Sequence, residues 1–371
     1  MKKAIISVIN DLATDQRVDR TANTLVELGF EVLMVGRKLK NSLPIIEKPY
    51  KTKRMLLLFN KGPLFYAEYN IRLFFFLLFH KSNLLIANDL DTLLPNFLIH
   101  KIKKSPIVYD SHEYFTGVPE LEHSKFKKKI WRKIEKCIFP KLKVIITVNR
   151  SIADLYKKEY GKQLIVVRNI PLTKTIGKLK TKLELSLPED KHLIILQGAG
   201  INIDRGAEEA VMAMEFIENA ILCIVGSGDV IPVLKSIVKN TNLSSKVLFI
   251  PKQTSDMLYQ YTSKADLGLT FDKDTNINYR YSLPNKLFDY IHAGIPILSS
   301  KLVEIQSIIE QYQIGETIDN HQPIHIANKI NEILNNQNKL EYWKKNLIIA
   351  KKELCWENEK KLLIKAYEPF I

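Results

Sequence analysis

The residues with the clearest chemical meaning lie where a polar loop leads into a helical pattern: Ser282, Leu283, Pro284, Asn285 and Lys286. Proline suits the first turn of a helix, and the free N–H groups of that turn can bind a phosphate. Lys286 adds a positive charge at the same place. Asp289 follows one helical turn later, where its carboxylate can accept hydrogen bonds from ribose hydroxyls. The segment therefore predicts a site for a diphosphate and its attached ribose.

A glycine-containing loop follows a predicted strand at residues 193–196 and includes Gly198, Gly200 and Arg205. The glycines would let backbone N–H groups approach a diphosphate, and Arg205 would form bidentate bonds with its oxygens. When the group attached to that diphosphate leaves, negative charge develops on the oxygens. Arg205 and Lys286 together would then stabilise this charge in place of a metal ion. For Arg205 alone, the alternative is a surface ion pair.

Gly226 and Gly228 form another glycine loop after the predicted strand at residues 221–225. A dinucleotide-binding fingerprint would need a third glycine where Ile231 stands, so a dehydrogenase is a poor fit. We expect this loop to approach the nucleotide half of the ligand. A simple tight turn is the alternative.

Histidine and acidic residues follow predicted strands in the first half of the chain. His112 and Glu113 come after the strand at residues 107–109, where loops of an open α/β sheet face the ligand crevice. Further charged residues are expected to line the same edge: Asp11, Asp15, Arg17, Asp89 and Asp91. The alternatives are a purely structural His112, and helix capping by Asp15 and by Asp89 or Asp91.

These segments resemble motifs of the retaining GT-B glycosyltransferases of family four. Residues 282–296 resemble the donor motif that reads S-L-P-N-K-L-F-E-Y-x-x-x-G-x-P, and residues 198–206 resemble its arginine-glycine element. Residues 225–228 resemble V-G-x-G and residues 110–113 resemble D-x-H-E. Two departures stand out. Family members often carry two glutamates in the donor motif, and this chain has Tyr281 and Asp289 instead.

The resemblance implies a metal-independent enzyme that moves a sugar from a nucleoside-diphosphate sugar, UDP or GDP, to an acceptor hydroxyl with retention of configuration. His112 would contact the transferred sugar, and the acidic residues of the first domain would lie on the acceptor side. The expected pathway is the assembly of polysaccharide or glycolipid, with a glycan or a lipid-linked acceptor. Two alternatives remain: a nucleotide-sugar epimerase of the same fold, and a non-catalytic scaffold that has lost both glutamates.

Short apolar runs alternate with amphipathic segments, which predicts an α/β fold. Strands are expected at residues 4–9, 31–35, 84–87, 107–109, 144–148, 164–167, 193–196, 221–225, 247–250, 267–270, 295–298 and 315–318. A polar stretch at 169–181 separates two such series. We therefore predict two doubly wound, Rossmann-like domains facing a central cleft, at 1–172 and 173–350. By resemblance, a C-terminal helix at 351–371 would pack back on the first domain.

Composition indicates a globular protein. The chain has 371 residues and 46% hydrophobic residues, enough for two domains. The three cysteines lack metal-like spacing and are expected to be reduced, buried thiols in the cytoplasm. The apolar start is too short for a signal peptide, and the apolar run at residues 73–79 is too short to span a membrane. We expect no metal and no other cofactor.

The net charge of +15 is large enough to call for an explanation. A dense run of basic residues lies at 125–133. Phe126, Ile130 and Trp131 are interleaved with the lysines there. The segment could lie on an anionic membrane surface, track nucleic acid, or be a solvated helix face. No nucleic-acid motif accompanies the charge, so nucleic acid is not an expected partner. The membrane surface and the solvated face remain open.

Overall fold

The structure is a computed structural model that describes residues 1–13, 15–40, 42–118, 121, 124–173 and 177–371. The chain divides into two units. The first comprises Met1–Asn169 and Glu359–Ile371, and the second comprises Ile170–Asn358. The sequence placed the two boundaries after residues 172 and 350. The return to the first unit comes later because the helix Gln337–Glu353 packs into a core of the second unit.

A parallel sheet forms the centre of the first unit. Its described strands are β1 Lys3–Asp11, β2 Glu31–Lys38, β3 Lys51–Leu56, β4 Leu84–Asn88, β5 Ile107–Ser111, β6 Val144–Thr147 and β7 Ile165–Val166. Across the sheet they follow the order β3-β2-β1-β4-β5-β6-β7. Strands β4 and β5 are buried at every position, as expected of a parallel sheet with helices on both faces. Its described helices are α1 Gln16–Glu27, α2 Gly62–Phe79, α3 Leu90–Lys103, α4 Lys125–Ile138 and α5 Arg150–Tyr160.

The second unit repeats this plan. Its described strands are β8 His192–Gly198, β9 Ala220–Gly226, β10 Val247–Pro251, β11 Leu267–Thr270, β12 Ile297–Ser300 and β13 Gly315–Ile318, in the order β10-β9-β8-β11-β12-β13. The helices are α6 Ala207–Ala213, α7 Ile231–Asn240, α8 Ser255–Thr262, α9 Ile277–Arg280, α10 Asn285–Ala293, α11 Val303–Tyr312, α12 Pro323–Leu334 and α13 Gln337–Glu353. The last helix, α14 Trp356–Tyr367, continues into the first unit.

Both sheets reverse their strand order at one point, between β1 and β4 in the first unit and between β8 and β11 in the second. In open α/β sheets, ligands bind at this switch point, outside the carboxyl ends of the strands. The loops after β8 and β11 therefore meet at the candidate site of the second unit. The loops after β1, β4 and β5 do the same in the first.

The α/β fold and the twelve predicted strands are confirmed, with differences only at the strand ends. Strand β3 was missed. Its sequence, KTKRML, carries three charges and lacks an apolar run. Among the described strands it forms an edge of the sheet and pairs only with β2, so its charged side chains can reach water.

Two smaller expectations need comment. Cys223 and Cys355 are buried, but Cys137 is exposed, so the prediction of three buried thiols was wrong for Cys137. In the part of the chain that the structure describes, no helix combines the length and apolar character that a membrane crossing requires.

Candidate functional site

Backbone hydrogen bonds join the loops after β8 and β9. The Ile201 N–H donates to the carbonyl of Ser227 at 2.9 Å, and the Ser227 N–H donates to that of Gly198 at 3.1 Å. Gly226 has a φ of +144°, and a Cβ atom there or at Gly228 would collide with the facing loop. These two glycines are therefore required for loop packing. Their predicted contact with a nucleotide stays a prediction.

Glycines of the loop after β8 are arranged differently. Side-chain atoms would fit at Gly198 and Gly200 without a close clash, so steric crowding does not demand glycine there. At Gly206, with a φ of +70°, a Cβ atom would collide with Phe271. This glycine brings its neighbour Arg205 against the loop after β11.

A buried carboxylate connects the two predicted cations. Asp272 has no exposed surface, and its Oδ2 lies 3.2 Å from Arg205 Nη1 while its Oδ1 lies 3.6 Å from Lys286 Nζ. The Arg205 guanidinium carbon also lies 4.3 Å from the centre of the Tyr279 ring. Burial lowers the pKa of Lys286, against the opposing attraction of Asp272. The structure thus brings Arg205 and Lys286 together, as the sequence predicted for a diphosphate.

The loop before α10 contains Ser282 and Leu283. Helix α10 begins at Asn285, so Pro284 is the residue before the helix and not, as predicted, in its first turn. The difference is one residue, and the fixed φ of proline still sets the direction in which the helix starts. Ser282 Oγ is buried without a hydrogen-bond partner among the described residues. A hydroxyl in that condition can bind a polar ligand.

Asp289 lies on α10 and is held from the neighbouring strand. The buried Gln197 donates from Nε2 to Asp289 Oδ2 at 2.9 Å and accepts from the Thr262 hydroxyl at 2.6 Å. Thr262 therefore fixes the orientation of the amide, and the amide fixes one oxygen of the carboxylate. This arrangement is compatible with the predicted role of Asp289 as a ribose acceptor.

His112 of the first unit lies between two carboxylates. Its backbone N–H donates to Asp89 Oδ1 at 2.8 Å, its Nδ1 lies 3.4 Å from Asp89 Oδ2, and its Nε2 lies 3.6 Å from Asp110 Oδ2. Asp89 caps no helix with its side chain, so capping does not explain it. Its carboxylate instead positions His112.

Asp110 is itself held by Arg17. The two guanidinium nitrogens Nη2 and Nε donate to Asp110 at 2.7 and 3.3 Å, and Nη1 donates to the Val167 carbonyl at 2.8 Å. Both side chains are buried. The arginine keeps the pKa of Asp110 well below its usual range despite burial. Arg17, which was predicted to lie on the acceptor side, thus stabilises the buried carboxylate of Asp110 near the carboxyl end of β5.

Burial disfavours the charged form of His112, but Asp89 and Asp110 outweigh it and raise its pKa to about 9. Because this exceeds the ordinary value of 6.5, the charged ring stabilises the fold fully below about pH 6.5, and this contribution is lost as the pH rises through about 9. We expect the stability difference between the native protein and His112→Gln to shrink from pH 6 to pH 10. Hydrogen exchange of β5 measures it. A difference independent of pH would contradict a charged imidazole.

The other predicted residues of the first unit lie in different surroundings. Asp15 caps α1 by accepting from the Val18 N–H at 3.2 Å, so the capping alternative holds for it. Asp11 pairs with Arg54 at 3.4 Å. Asp91 is buried in the first turn of α3, where burial raises its pKa well above the usual value. Glu113 is exposed beside His112.

The basic segment forms helix α4. Phe126 is 74% exposed and Ile130 is 44% exposed, whereas the ring of Trp131 contacts that of Tyr66 on α2 at a centroid distance of 5.3 Å. Helix α2 also exposes apolar side chains, namely Leu64, Ile71, Phe75 and Phe79. Exposed Phe126 and Ile130 are therefore interleaved with the lysines of α4.

Two residues were missed by sequence reasoning. Asp272 and Gln197 lie at the carboxyl ends of adjacent strands β11 and β8, and both bind residues that the motifs did identify. A polar residue at or just beyond the carboxyl end of a buried strand was the available signal. In the described parts of the chain, no group of three or more His, Cys, Asp or Glu residues is arranged to hold a metal ion.

Comparison with known families matches each unit separately. The family described as Glycosyltransferase Family 4 matches residues 15–170, and Glycosyl transferases group 1 matches residues 180–348. A comparison with curated proteins finds no significant match.

Solved structures share the fold over the whole chain. Sucrose-phosphate synthase from Thermosynechococcus elongatus matches with a TM-score of 0.82 and 17% identity, covering 100% of this chain and 99% of that one. WaaG, a glycosyltransferase involved in lipopolysaccharide biosynthesis, matches with 0.73 and 15%, covering 99% of both. HepE of Anabaena, in complex with UDP-glucose, matches with 0.74 and 13%, covering 100% of both.

These matches and the two sheets define a two-domain protein of the GT-B fold. The chain is a glycosyltransferase of that fold and resembles family 4, with a group 1 domain in its second unit.

Proposed function

We propose that the protein transfers a sugar from a nucleoside-diphosphate sugar, UDP or GDP, to an acceptor hydroxyl, with retention of configuration and without a metal ion. The observation that carries the proposal is the pair of cations, Arg205 and Lys286, held side by side by Asp272. Two positive side chains at a sheet's switch point suit a diphosphate. HepE, which shares the fold, is known in complex with UDP-glucose.

The proposed chemistry occurs on one face of the sugar. The bond from the sugar to the diphosphate breaks, the acceptor oxygen bonds to the same face, and the leaving diphosphate oxygen receives the acceptor proton. Arg205 and Lys286 stabilise the charge that develops on the diphosphate and so replace a metal ion. His112 would contact a hydroxyl of the transferred sugar, and Asp289 would accept from the ribose.

Binding measurements test the donor site. We expect one of UDP, GDP and ADP, or its sugar, to raise the melting temperature without magnesium. Lys286→Met should weaken that binding about tenfold or more, because a charge-assisted bond is lost. The exposed Lys344 supplies a matched control, Lys344→Met. Stabilisation that requires magnesium would contradict metal independence.

Product analysis then separates the alternatives. Transfer releases the free nucleoside diphosphate, whereas an epimerase changes the sugar and leaves the nucleotide attached. Absence of binding across the panel would favour the scaffold. Retention is tested by the anomeric configuration of the product.

We further propose that the acceptor is a glycan or a lipid-linked molecule of polysaccharide or glycolipid assembly, and that the protein works on the cytoplasmic side of an anionic membrane. The support is helix α4, in which the lysines are interleaved with exposed Phe126 and Ile130. Basic residues attract anionic lipids, and apolar side chains enter the interface.

Vesicle sedimentation tests the membrane surface. We expect the native protein to bind vesicles rich in phosphatidylglycerol. Replacing Lys127, Lys128 and Lys129 by glutamate should lower partitioning by about two orders of magnitude, because each basic residue contributes about 1 kcal/mol. The same change of net charge at exposed Lys344, Lys345 and Lys352 is the control. Equal loss in both variants would show that net charge alone drives binding.

A further inference from the structure

Asp272 has a property that diphosphate binding by itself does not require, because it places a negative charge inside a site for an anion. The residue follows β11 and has no exposed surface. The loop that carries it is joined to the loop after β8, since the Lys273 N–H donates to the Asp204 carbonyl at 2.8 Å. Among the described residues, neither oxygen of Asp272 has a hydrogen-bond partner. Its described polar contacts are therefore the two ion pairs.

We propose that Asp272 is the internal counter-anion of the Arg205–Lys286 pair, which positions both cations and limits how tightly a diphosphate is held. This inference rests on the proposed function of the pair as the diphosphate site.

Positioning follows from the geometry. Two cations in one pocket repel each other, and Lys286 is largely buried, with 13% of its side chain exposed. Each Asp272 oxygen faces a different cation, at 3.2 Å for Arg205 and 3.6 Å for Lys286. One carboxylate therefore offsets the repulsion and fixes the separation of the two side chains before a ligand arrives.

The effect on affinity follows from charge. The three side chains together carry one net positive charge, where the pair alone would carry two. A free nucleoside diphosphate has one more ionisable oxygen than its sugar-linked form, with a pKa of about 6, so it is more negative at neutral pH. Repulsion from Asp272 therefore weakens binding of the product more than that of the donor. Asp272 would favour release of the product after transfer.

Calorimetry on Asp272→Asn tests this role. The probes are UDP, GDP, UDP-glucose, GDP-mannose and inorganic pyrophosphate, all without metal. We expect the variant to bind pyrophosphate and the nucleoside diphosphate of the preferred base roughly tenfold more tightly, and the matching nucleotide sugar less than tenfold more tightly. The ratio of the two affinities is the decisive reading, because a merely structural residue would not change it.

A second variant guards against misfolding of the first. Lys286→Met leaves Asp272 opposite Arg205 alone, so adding Asp272→Asn to it should restore part of the lost diphosphate affinity. A further loss in the double variant would overturn the proposal.

The remaining outcomes are distinct. Equal weakening of donor and product by Asp272→Asn would reduce Asp272 to a structural brace and overturn the inference. If the native protein bound a nucleotide tightly and Asp272→Asn had the same ratio of product to donor affinity, the inference would also be overturned. The proposed function would then still stand. If neither protein bound pyrophosphate or any nucleotide, both the donor site and its counter-anion would be rejected.

Discussion

Replacement of Arg205 by methionine is expected to lower kcat for sugar transfer by about 10²–10³-fold, because a preorganised charge on the leaving group is lost. Arg205 is held between Asp272 and the Tyr279 ring, so its position is set before the donor binds. Methionine keeps much of the side-chain length without charge. The measurement is steady-state kinetics with the donor that the binding panel identifies.

Two controls sharpen this test. Arg280 follows Tyr279 on α9, pairs with Asp274 and has a side chain that is 53% exposed. Its replacement by methionine should leave kcat nearly unchanged. Arg205→Lys keeps the charge but not the bidentate geometry, so it should restore activity only in part. If Arg205→Met raised KM and left kcat intact, Arg205 would serve uniform binding and not the transition state.

The fold could be predicted from the sequence because its strands are buried. Strands β4 and β5 begin with the apolar runs LLIA and IVY, and β11 reads LGLT; such short buried runs can be recognised without knowledge of tertiary structure. Strand β3 lacks the pattern because one side of an edge strand faces solvent. Its place in the sheet depends on pairing with β2, which a local pattern cannot reveal.

The candidate site was predictable where one segment contains the chemistry. Arg205 stands in a recognisable loop, and Lys286 stands in a recognisable segment at the start of α10. Asp272 does not, because its role exists only where two loops from adjacent strands meet. The same applies to Asp89, which the sequence placed on the acceptor side with helix capping as the alternative. Its carboxylate accepts a hydrogen bond from the backbone N–H of His112, a contact at the carboxyl ends of the adjacent strands β4 and β5. The spacing of residues along the chain identifies a candidate helix cap, and the order of the strands in the sheet decides which other residues its side chain contacts.

Replacement of Arg17 by methionine is expected to destabilise the first unit by about 3–5 kcal/mol, because it removes one partner of a buried ion pair. Asp110 has no exposed surface and receives two hydrogen bonds from Arg17. Its carboxylate would be left beside His112 without that compensation. Hydrogen exchange of β1 and β5 reports the first unit separately from the second.

The companion changes identify the cause. Arg17→Met combined with Asp110→Asn removes the stranded charge, so the double variant should be more stable than Arg17→Met alone. The exposed pair Arg150 and Asp154, whose side chains are 85% and 62% exposed, should show a far smaller effect when broken, because water compensates both charges.

Since the pKa of Asp110 is held well below its usual range, the contribution of the Arg17–Asp110 pair is present above about pH 4 and is lost only in stronger acid. Equal stability of Arg17→Met and the native protein at neutral pH would mean that water reaches Asp110, and the first unit would not depend on this pair.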